Sequence, residues 1–200
     1  MSLPVASLAA PRPPAVTPGP TGPAPGPTRL RVADLLHATD QAADAVLSGR
    51  FDHLLPGGGL PQSQRWFTRI HGDDELDVWL ISWVPGHPTE LHDHGGSLGA
   101  LTVLSGSLNE FRWDGRDLRR RRLDAGDQAG FPLGWVHDVV WAPRAVTTAN
   151  TGPARATKAP PTLSVHAYSP PLTAMSYYEV THRNSLRRRR TELTDQPEGA

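Results

Sequence analysis

The feature that most constrains this chain is a series of short apolar runs that alternate with polar residues. Gly, Pro and Asp residues separate these runs, which occupy residues 77–83, 100–104, 108–113, 127–131, 137–141 and 163–168. Alternation with a period of two is typical of half-buried strands, and many short strands at this spacing imply a sandwich or a barrel. The sequence therefore predicts an all-β-dominated fold.

One segment before the strands has a different period and predicts a helix. Between residues 32 and 47 the apolar residues recur at helical spacing, and Gly49 follows as a stop; the face consists of Val32, Leu35, Leu36, Ala43, Val46 and Leu47. Thr39 stands in the middle of this face and makes it imperfect. We expect an amphipathic helix that packs one face on the core.

Composition excludes several classes of protein. The 200 residues include 20 Lys and Arg against 20 Asp and Glu, so the chain is not a polycation that coats nucleic acid or a membrane. There is no Cys, which excludes disulfides, thiolate metal sites and a Cys nucleophile. Residues 1–10 make a poor signal peptide and no apolar run is long enough to span a bilayer, so we expect a cytoplasmic protein.

The two ends of the chain differ from its centre. Residues 1–28 hold nine of the 21 prolines without an apolar period, which predicts a disordered tail; a Pro-rich docking arm is the alternative. Residues 183–200 are polar and contain four consecutive Arg, which we interpret as a solvated tail rather than a phosphate or RNA contact. Arg119 to Arg122 are interpreted in the same way, on an exposed hairpin. One domain is left, at residues 29–182.

Two histidines in a strand context are candidates for metal ligands. His92 and His94 are two residues apart, so in a strand both imidazoles point to the same face. This is the spacing that a metal requires of two ligands from one strand, although an isolated pair of this kind is common without one.

Two blocks of the chain resemble the two sequence motifs of the cupin superfamily. The first block matches at Gly86, His92, His94 and Gly106, with Gly99 in the place of the motif's Glu. The second block matches at Gly126, Pro132, Gly134 and His137, with Trp141 in the place of its Asn. The resemblance implies a double-stranded β-helix, or jelly-roll, barrel behind an N-terminal helical segment. It also implies a metal inside the barrel held by His92, His94 and His137.

A third motif makes the chain similar to the cysteine dioxygenase branch of the cupins, in its bacterial form. Ser164, His166 and Tyr168 alternate along one strand and match the polar relay that lines the iron pocket of that family. The family's Arg for the substrate carboxylate matches Arg69, whose planar guanidinium suits a carboxylate. Mammalian members have a Cys where this chain has Gly99 and crosslink it to the pocket Tyr, so Tyr168 here is expected to keep a free hydroxyl.

The resemblance implies a function as well as a fold. Three neutral imidazoles add no negative charge to an Fe(II), which favours an anionic ligand such as a thiolate. We therefore expect a mononuclear non-haem iron dioxygenase that adds both atoms of O2 to the sulfur of L-cysteine to give cysteine sulfinate. Its partners would be the thiol and O2, with no nucleic acid and no membrane, and we expect a monomer.

Several alternatives stay open at this point. The substrate could be another small thiol such as 3-mercaptopropionate, or the chain could be a non-enzymatic cupin that binds a metal. The three histidines could be ordinary core residues, and the Ser-His-Tyr set could be a hydrogen-bonded ladder in the barrel wall. Arg69 could form an ion pair with Asp73, Asp74 or Glu75.

Overall fold

A computed structural model describes residues 28–143 and 160–199. It contains helix α1 (Val32–Leu47), a short 3-10 helix (Asp52–Leu54) and eleven strands. The strands are β1 (Trp66–Gly72), β2 (Asp77–Trp83), β3 (Leu91–Asp93), β4 (Leu98–Ser105), β5 (Ser107–Trp113), β6 (Leu118–Asp124), β7 (Gln128–Phe131), β8 (His137–Trp141), β9 (Thr162–Ser169), β10 (Ala174–Val180) and β11 (Leu186–Leu193).

The strands form two antiparallel sheets. One sheet has the order β1-β2-β9-β4-β7, and the other has the order β11-β10-β3-β8-β5-β6. A single apolar cluster joins the two sheets, with Trp83 and Leu101 from the first and Leu108 and Val139 from the second. This architecture confirms the predicted all-β-dominated cupin barrel with a helix before it.

Helix α1 has the predicted bounds and covers the outer face of the first sheet. Leu35, Thr39 and Ala43 are its buried residues, and they follow one another at a spacing of four. Leu35 packs in a second apolar cluster with Leu80 and other residues from the outer face of β2, β4 and β9. Leu47, which we placed on the buried face, is 68% exposed at the helix end.

The strand period decides which side chains enter the barrel. In the pairing of β2 with β9, Trp79 is opposite His166 and Ile81 is opposite Ser164. Residues that are opposite in a ladder share a face, and Trp79 and Ile81 belong to the inner cluster. Ser164 and His166 therefore face the barrel interior, as their alternation along the chain predicts.

The end of the described chain differs from the prediction of a solvated tail at residues 183–200. Leu186–Leu193 form strand β11, which pairs with β10 at the edge of the second sheet. Arg187 donates to Glu179, and Arg190 lies 2.9 Å from Glu90. Since cross-strand charge pairs replace the missing apolar alternation, an Arg-rich segment forms an edge strand here.

Two further predictions concern the run of arginines at residues 119–122 and the Pro-rich residues 1–28. Arg119 to Arg122 lie in β6 of the β5–β6 hairpin, as predicted. The predicted disorder of residues 1–28 lies outside the described residues except for Thr28, whose hydroxyl is 2.6 Å from Ser169 Oγ. No helix in the described ranges is long and apolar enough to cross a membrane.

Candidate metal centre and pocket

The three predicted histidine ligands meet inside the barrel. His92 lies in β3, His94 follows this strand directly, and His137 begins β8, where it is the ladder partner of His92. All three side chains are buried, and one nitrogen from each lies within 4.8 Å of the other two. The two cupin blocks, which are far apart in sequence, therefore supply one cluster.

The ring nitrogens of these histidines are arranged for a metal. Among the described residues, the Nε2 atoms of His92, His94 and His137 are buried and have no hydrogen-bond partner. His92 Nδ1 lies 2.9 Å from the carbonyl oxygen of Glu90, and His137 Nδ1 lies 3.0 Å from Glu110 Oε1. Because the Nδ1–H groups of His92 and His137 donate to these acceptors, the Nε2 atoms of both rings keep a free lone pair for a metal.

Burial favours the neutral form of two of these rings, those of His92 and His94. Burial lowers the pKa of His92 to about 4, and the neighbouring His137 adds to the shift. Burial likewise lowers the pKa of His94 well below its ordinary value. A neutral imidazole is the form that binds a metal, so His92 and His94 are held in their binding form.

Glu110 supports the site from the side of His137. Burial alone would raise the pKa of this carboxyl, but hydrogen bonds from His137 and Trp135 and the charge of Arg121 lower it to about 2. Trp135 Nε1 donates to Glu110 Oε1 at 3.0 Å, and Arg121 donates to Oε2. Glu110 is thus a buried carboxylate that orients a ligand, and no local motif of the sequence indicated it.

Gly99, which replaces the Glu of the cupin motif, lies at the edge of the cluster. A Cβ atom built on it would be 2.9 Å from Phe131 Cδ2 and 3.5 Å from His94 Nδ1. The ring of Phe131 thus fills the space of a side chain here, and the donor set consists of three imidazoles. Gly99 is also the ladder partner of Tyr168. Because position 99 is not a Cys, Tyr168 cannot form a thioether crosslink with it.

Ser164, His166 and Tyr168 form a buried hydrogen-bonded row beside the histidines. His166 Nε2 lies 3.0 Å from Ser164 Oγ, and His166 Nδ1 lies 3.2 Å from the Tyr168 hydroxyl. Trp83 Nε1 donates to Ser164 Oγ at 2.7 Å, a contact that the sequence did not indicate. The Tyr168 ring is 5.0 Å from the His94 ring between centroids, so the row reaches the metal ligands.

Arg69 is partly exposed and is paired with carboxylates of the chain itself. Its side chain is 41% exposed, and its guanidinium lies 3.5 Å from Asp77 and 3.9 Å from Asp195. The ion pairs therefore go to Asp77 and Asp195, and not to the three acidic residues of the β1–β2 turn. The assignment of Arg69 to a substrate carboxylate stays a prediction.

Arg65 is a second arginine, and the structure places it against the inner apolar cluster. Its guanidinium lies over the Trp83 ring, 3.9 Å from the centroid. All three of its nitrogens are buried without a hydrogen-bond partner among the described residues. Burial lowers the pKa of Arg65, and the nearby charges of Glu198 and Tyr168 oppose this shift. Arg65 lies directly before β1 and Arg69 lies within it, so the period of the strand does not indicate where the Arg65 side chain points.

Glu198 is a second pocket residue that the sequence did not indicate. It is fully buried, its Oε1 lies 2.8 Å from His166 Nδ1, and its Oε2 accepts a hydrogen bond from Tyr168. It lies in a polar segment after the last strand, where no motif or period marks it.

The geometry defines a class of protein, a cupin barrel with a buried three-histidine metal site. The sequence model of the family described as Cysteine dioxygenase type I matches residues 59–181, and the chain belongs to that family. Cysteine dioxygenase type 1 from Danio rerio is 25% identical over 122 residues, which cover 58% of this chain and 57% of the relative. The Rattus norvegicus protein of the same name is 23% identical over 120 residues, with 58% and 56% covered.

The chain thus spans a little over half the length of the curated relatives it matches. Similar solved structures include a cupin superfamily protein from Desulfitobacterium hafniense, which is 13% identical with a TM-score of 0.40. That match covers 55% of this chain and 80% of the other. KdgF from Halomonas sp. is 16% identical with a TM-score of 0.42, with 55% and 82% covered.

Proposed function

We propose that this chain is a mononuclear Fe(II) thiol dioxygenase that converts L-cysteine to cysteine sulfinate. The observation that carries the proposal is the set of three buried Nε2 atoms without partners, on His92, His94 and His137. Buried polar atoms are normally hydrogen-bonded, so three that converge on one point indicate a bound cation. Membership of the cysteine dioxygenase family supports iron as that cation.

The reaction balances as a transfer of both oxygen atoms of O2 to one sulfur. The thiolate sulfur loses four electrons, O2 gains them, and two sulfur–oxygen bonds replace the oxygen–oxygen bond. A bound Fe(II) with three neutral ligands would supply the redox chemistry that O2 activation requires. The residues of the chain would bind the substrate, orient it and keep water away.

Arg65 is the residue that we propose for the substrate carboxylate, in place of Arg69. A guanidinium donates two parallel hydrogen bonds to a carboxylate, and Arg65 has unused donors on all three nitrogens. Burying an unpaired charge costs on the order of several kcal/mol. A bound anionic ligand would form an ion pair with Arg65 and offset this cost. The same chemistry fits a carboxylate on cysteine or on 3-mercaptopropionate.

Tyr168 would donate a hydrogen bond to the reacting sulfur or oxygen atoms. Burial raises the pKa of Tyr168 well above its ordinary value, so the hydroxyl keeps its proton. Ser164 and His166 would fix the direction of this hydroxyl through the contacts at 3.0 and 3.2 Å. Such a preoriented donor stabilises charge that develops during the reaction.

The test is oxygen uptake by protein loaded anaerobically with iron, followed by mass spectrometric detection of the product. We expect L-cysteine to give the sulfinate with one O2 consumed per thiol. A parallel measurement of kcat/KM with 3-mercaptopropionate decides between the two substrates. Protein that binds iron but consumes no O2 with either thiol would instead be a non-enzymatic metal-binding cupin.

A further inference from the structure

The segment that follows β11 enters the pocket from outside the barrel. Thr194 N–H donates to the carbonyl oxygen of Thr173 at 3.1 Å, which holds the start of this segment beside the residue that precedes β10. Pro197 and Glu198 are then buried, although the residues on either side of them are exposed. Apart from Pro197, the segment is therefore buried only where it places the Glu198 side chain inside the barrel.

Glu198 reaches the row of hydrogen bonds that includes Tyr168. Tyr168 donates its hydroxyl hydrogen to Glu198 Oε2, while Glu198 Oε1 lies 2.8 Å from His166 Nδ1. A phenol has one hydrogen to donate. While Glu198 accepts it, Tyr168 has none to give to a substrate or to oxygen.

The next residue packs against the carboxylate anchor. A Cβ atom built on Gly199 would overlap Arg65 Nη1 and lie 3.1 Å from Thr89 Cγ2. Gly199 also has a φ of +71°, a conformation that favours glycine. The segment thus closes over Arg65 with no room for a side chain at this position.

Arg69 holds the segment from the outside. Its Nη2 donates to the carbonyl oxygen of Asp195 at 3.1 Å, and the same nitrogen is 3.9 Å from the Asp195 carboxylate. Asp77, which is buried, holds the other side of the guanidinium at 3.5 Å. Arg69 therefore links β2 to the segment in front of Glu198.

We propose that residues 194–199 are an autoinhibitory plug, in which the Glu198 carboxylate occupies the substrate pocket and Arg69 acts as its latch. This inference rests on the proposed function, since it names what regulates access to the same pocket. A substrate carboxylate would displace Glu198, free the Tyr168 hydroxyl and bind Arg65.

The docked carboxylate is paired with His166 and Tyr168, but it leaves the Arg65 guanidinium without a hydrogen-bond partner among the described residues. Arg65 makes no hydrogen bond to Glu198, although both groups are buried in the same pocket. Burying charges without close pairing is costly, so a carboxylate that can reach Arg65 directly would compete well. The plug thus pairs with His166 and Tyr168 but leaves the donors of Arg65 available to a substrate carboxylate.

The first test compares Glu198→Ala with Glu192→Ala in the iron-loaded full chain. Glu192 is a matched control, since it is a half-exposed acidic residue of β11 that pairs with Arg190 outside the pocket. If the plug fills the pocket about nine-tenths of the time, removing Glu198 lowers the KM for L-cysteine about tenfold. We expect an unchanged kcat in this variant and no change at all in Glu192→Ala.

Two further variants release the plug without changing a group that faces the substrate. Gly199→Ala introduces a side chain against Arg65, and Arg69→Gln removes the latch. Both should lower the KM in the same direction as Glu198→Ala. An increased KM in Arg69→Gln would restore this residue as the substrate anchor and overturn its role as a latch.

A measurement without turnover follows the plug directly. Because the chain has no Cys, Gln196→Cys supplies a single thiol for a trifluoromethyl tag at an exposed position of the segment. We expect anaerobic L-cysteine to shift the fluorine NMR signal toward its position in the Glu198→Ala variant. Identical spectra of the two proteins would show that the segment does not dock, and would overturn the proposal whether or not O2 is consumed.

The kinetic and spectroscopic results separate the two proposals. A lower kcat in Glu198→Ala with an unchanged KM would make Glu198 a positioning residue for Tyr168 and overturn the plug. Absence of O2 uptake in the wild-type chain and in all variants would reject the dioxygenase. In that case the tag still decides whether a carboxylate ligand displaces Glu198.

Discussion

Two buried regions on either side of the first sheet differ in how their polar atoms are satisfied. Between α1 and the outer face, Thr39 Oγ1 donates to the Leu36 carbonyl oxygen at 2.9 Å and accepts from Thr102 Oγ1 at 2.9 Å. Inside the barrel, the three histidine Nε2 atoms and the Arg65 guanidinium lack partners among the described residues. Since a fold gains nothing from unpaired buried groups, the comparison separates a layer that stabilises the protein from a pocket that binds ligands.

The largest expected effect comes from the substitution of one of the three predicted metal ligands. His94→Ala removes one of three nitrogens from the cluster, so iron binding and O2 uptake should both fall by more than about 1,000-fold, or about 4 kcal/mol. Metal analysis of the purified variant and an oxygen electrode check this. His87→Ala is the control, because His87 is exposed and contacts the Ser63 carbonyl oxygen outside the cluster. Retained iron in His94→Ala would remove His94 from the ligand set.

On the opposite side of the sheet, Leu35→Ala should affect stability and not chemistry. Leu35 is fully buried against the outer face, so truncation should reduce the free energy of unfolding by about 3 kcal/mol. Urea denaturation measures this loss, and kcat per folded molecule should stay unchanged. Leu47→Ala, at a side chain that is 68% exposed, should change stability by less than about 0.5 kcal/mol.

A decrease of kcat in folded Leu35→Ala would contradict the separation of the two regions. It would mean that the helix layer sets the geometry of the pocket as well as the stability of the sheet.

Sequence reasoning was most successful where one physical rule decides the structure. The bounds of α1 were predicted because its apolar period is unambiguous, and Thr39 fits in the buried face because its hydroxyl finds partners on both sides. The convergence of His92 and His94 with His137 was predicted because the cupin motifs fix the register of two distant blocks. In these cases local pattern and tertiary contact agree.

The residues that the sequence did not indicate are those whose placement depends on tertiary contacts. Arg65 directly precedes β1 and Arg69 lies within it, and only tertiary contacts make the Arg65 guanidinium buried and the Arg69 side chain partly exposed. Strand β11 lacks apolar alternation and is stabilised by ion pairs to Glu179 and Glu90, which no local rule anticipates. Glu198 enters the pocket only because β11 brings the following segment back over the barrel.

The next largest effect is expected at Arg65, where a substitution tests whether an unpaired buried group of the barrel binds a ligand. Arg65→Gln removes the charge but keeps a hydrogen-bonding group, so the KM for L-cysteine should rise about 30-fold, or about 2 kcal/mol. Steady-state kinetics with L-cysteine and with cysteamine, which has no carboxylate, check the assignment. The cysteamine KM should not change. An equal loss for both thiols would mean that Arg65 shapes the pocket instead of binding the carboxylate.

The smallest expected effect is at Glu110. This residue lies inside the barrel, but its polar atoms are hydrogen-bonded, as those of the helix layer are. Glu110→Gln keeps the volume but loses the negative charge that accepts from His137 and Arg121. Iron affinity should weaken about tenfold, or about 1.4 kcal/mol, because the buried carboxylate orients His137 and increases its basicity. Competition with a chelator measures this, with Asp124→Asn as the control at an exposed carboxylate of the same hairpin.

An iron affinity in Glu110→Gln equal to that of the wild type would show that His137 is held by packing alone. Phe131 makes this a real alternative, since its ring centroid lies 4.3 Å from that of His137. Phe131→Leu then distinguishes the two causes. If packing orients the ligand, this variant should weaken iron binding more than Glu110→Gln does, because a smaller side chain leaves space in which the imidazole can turn.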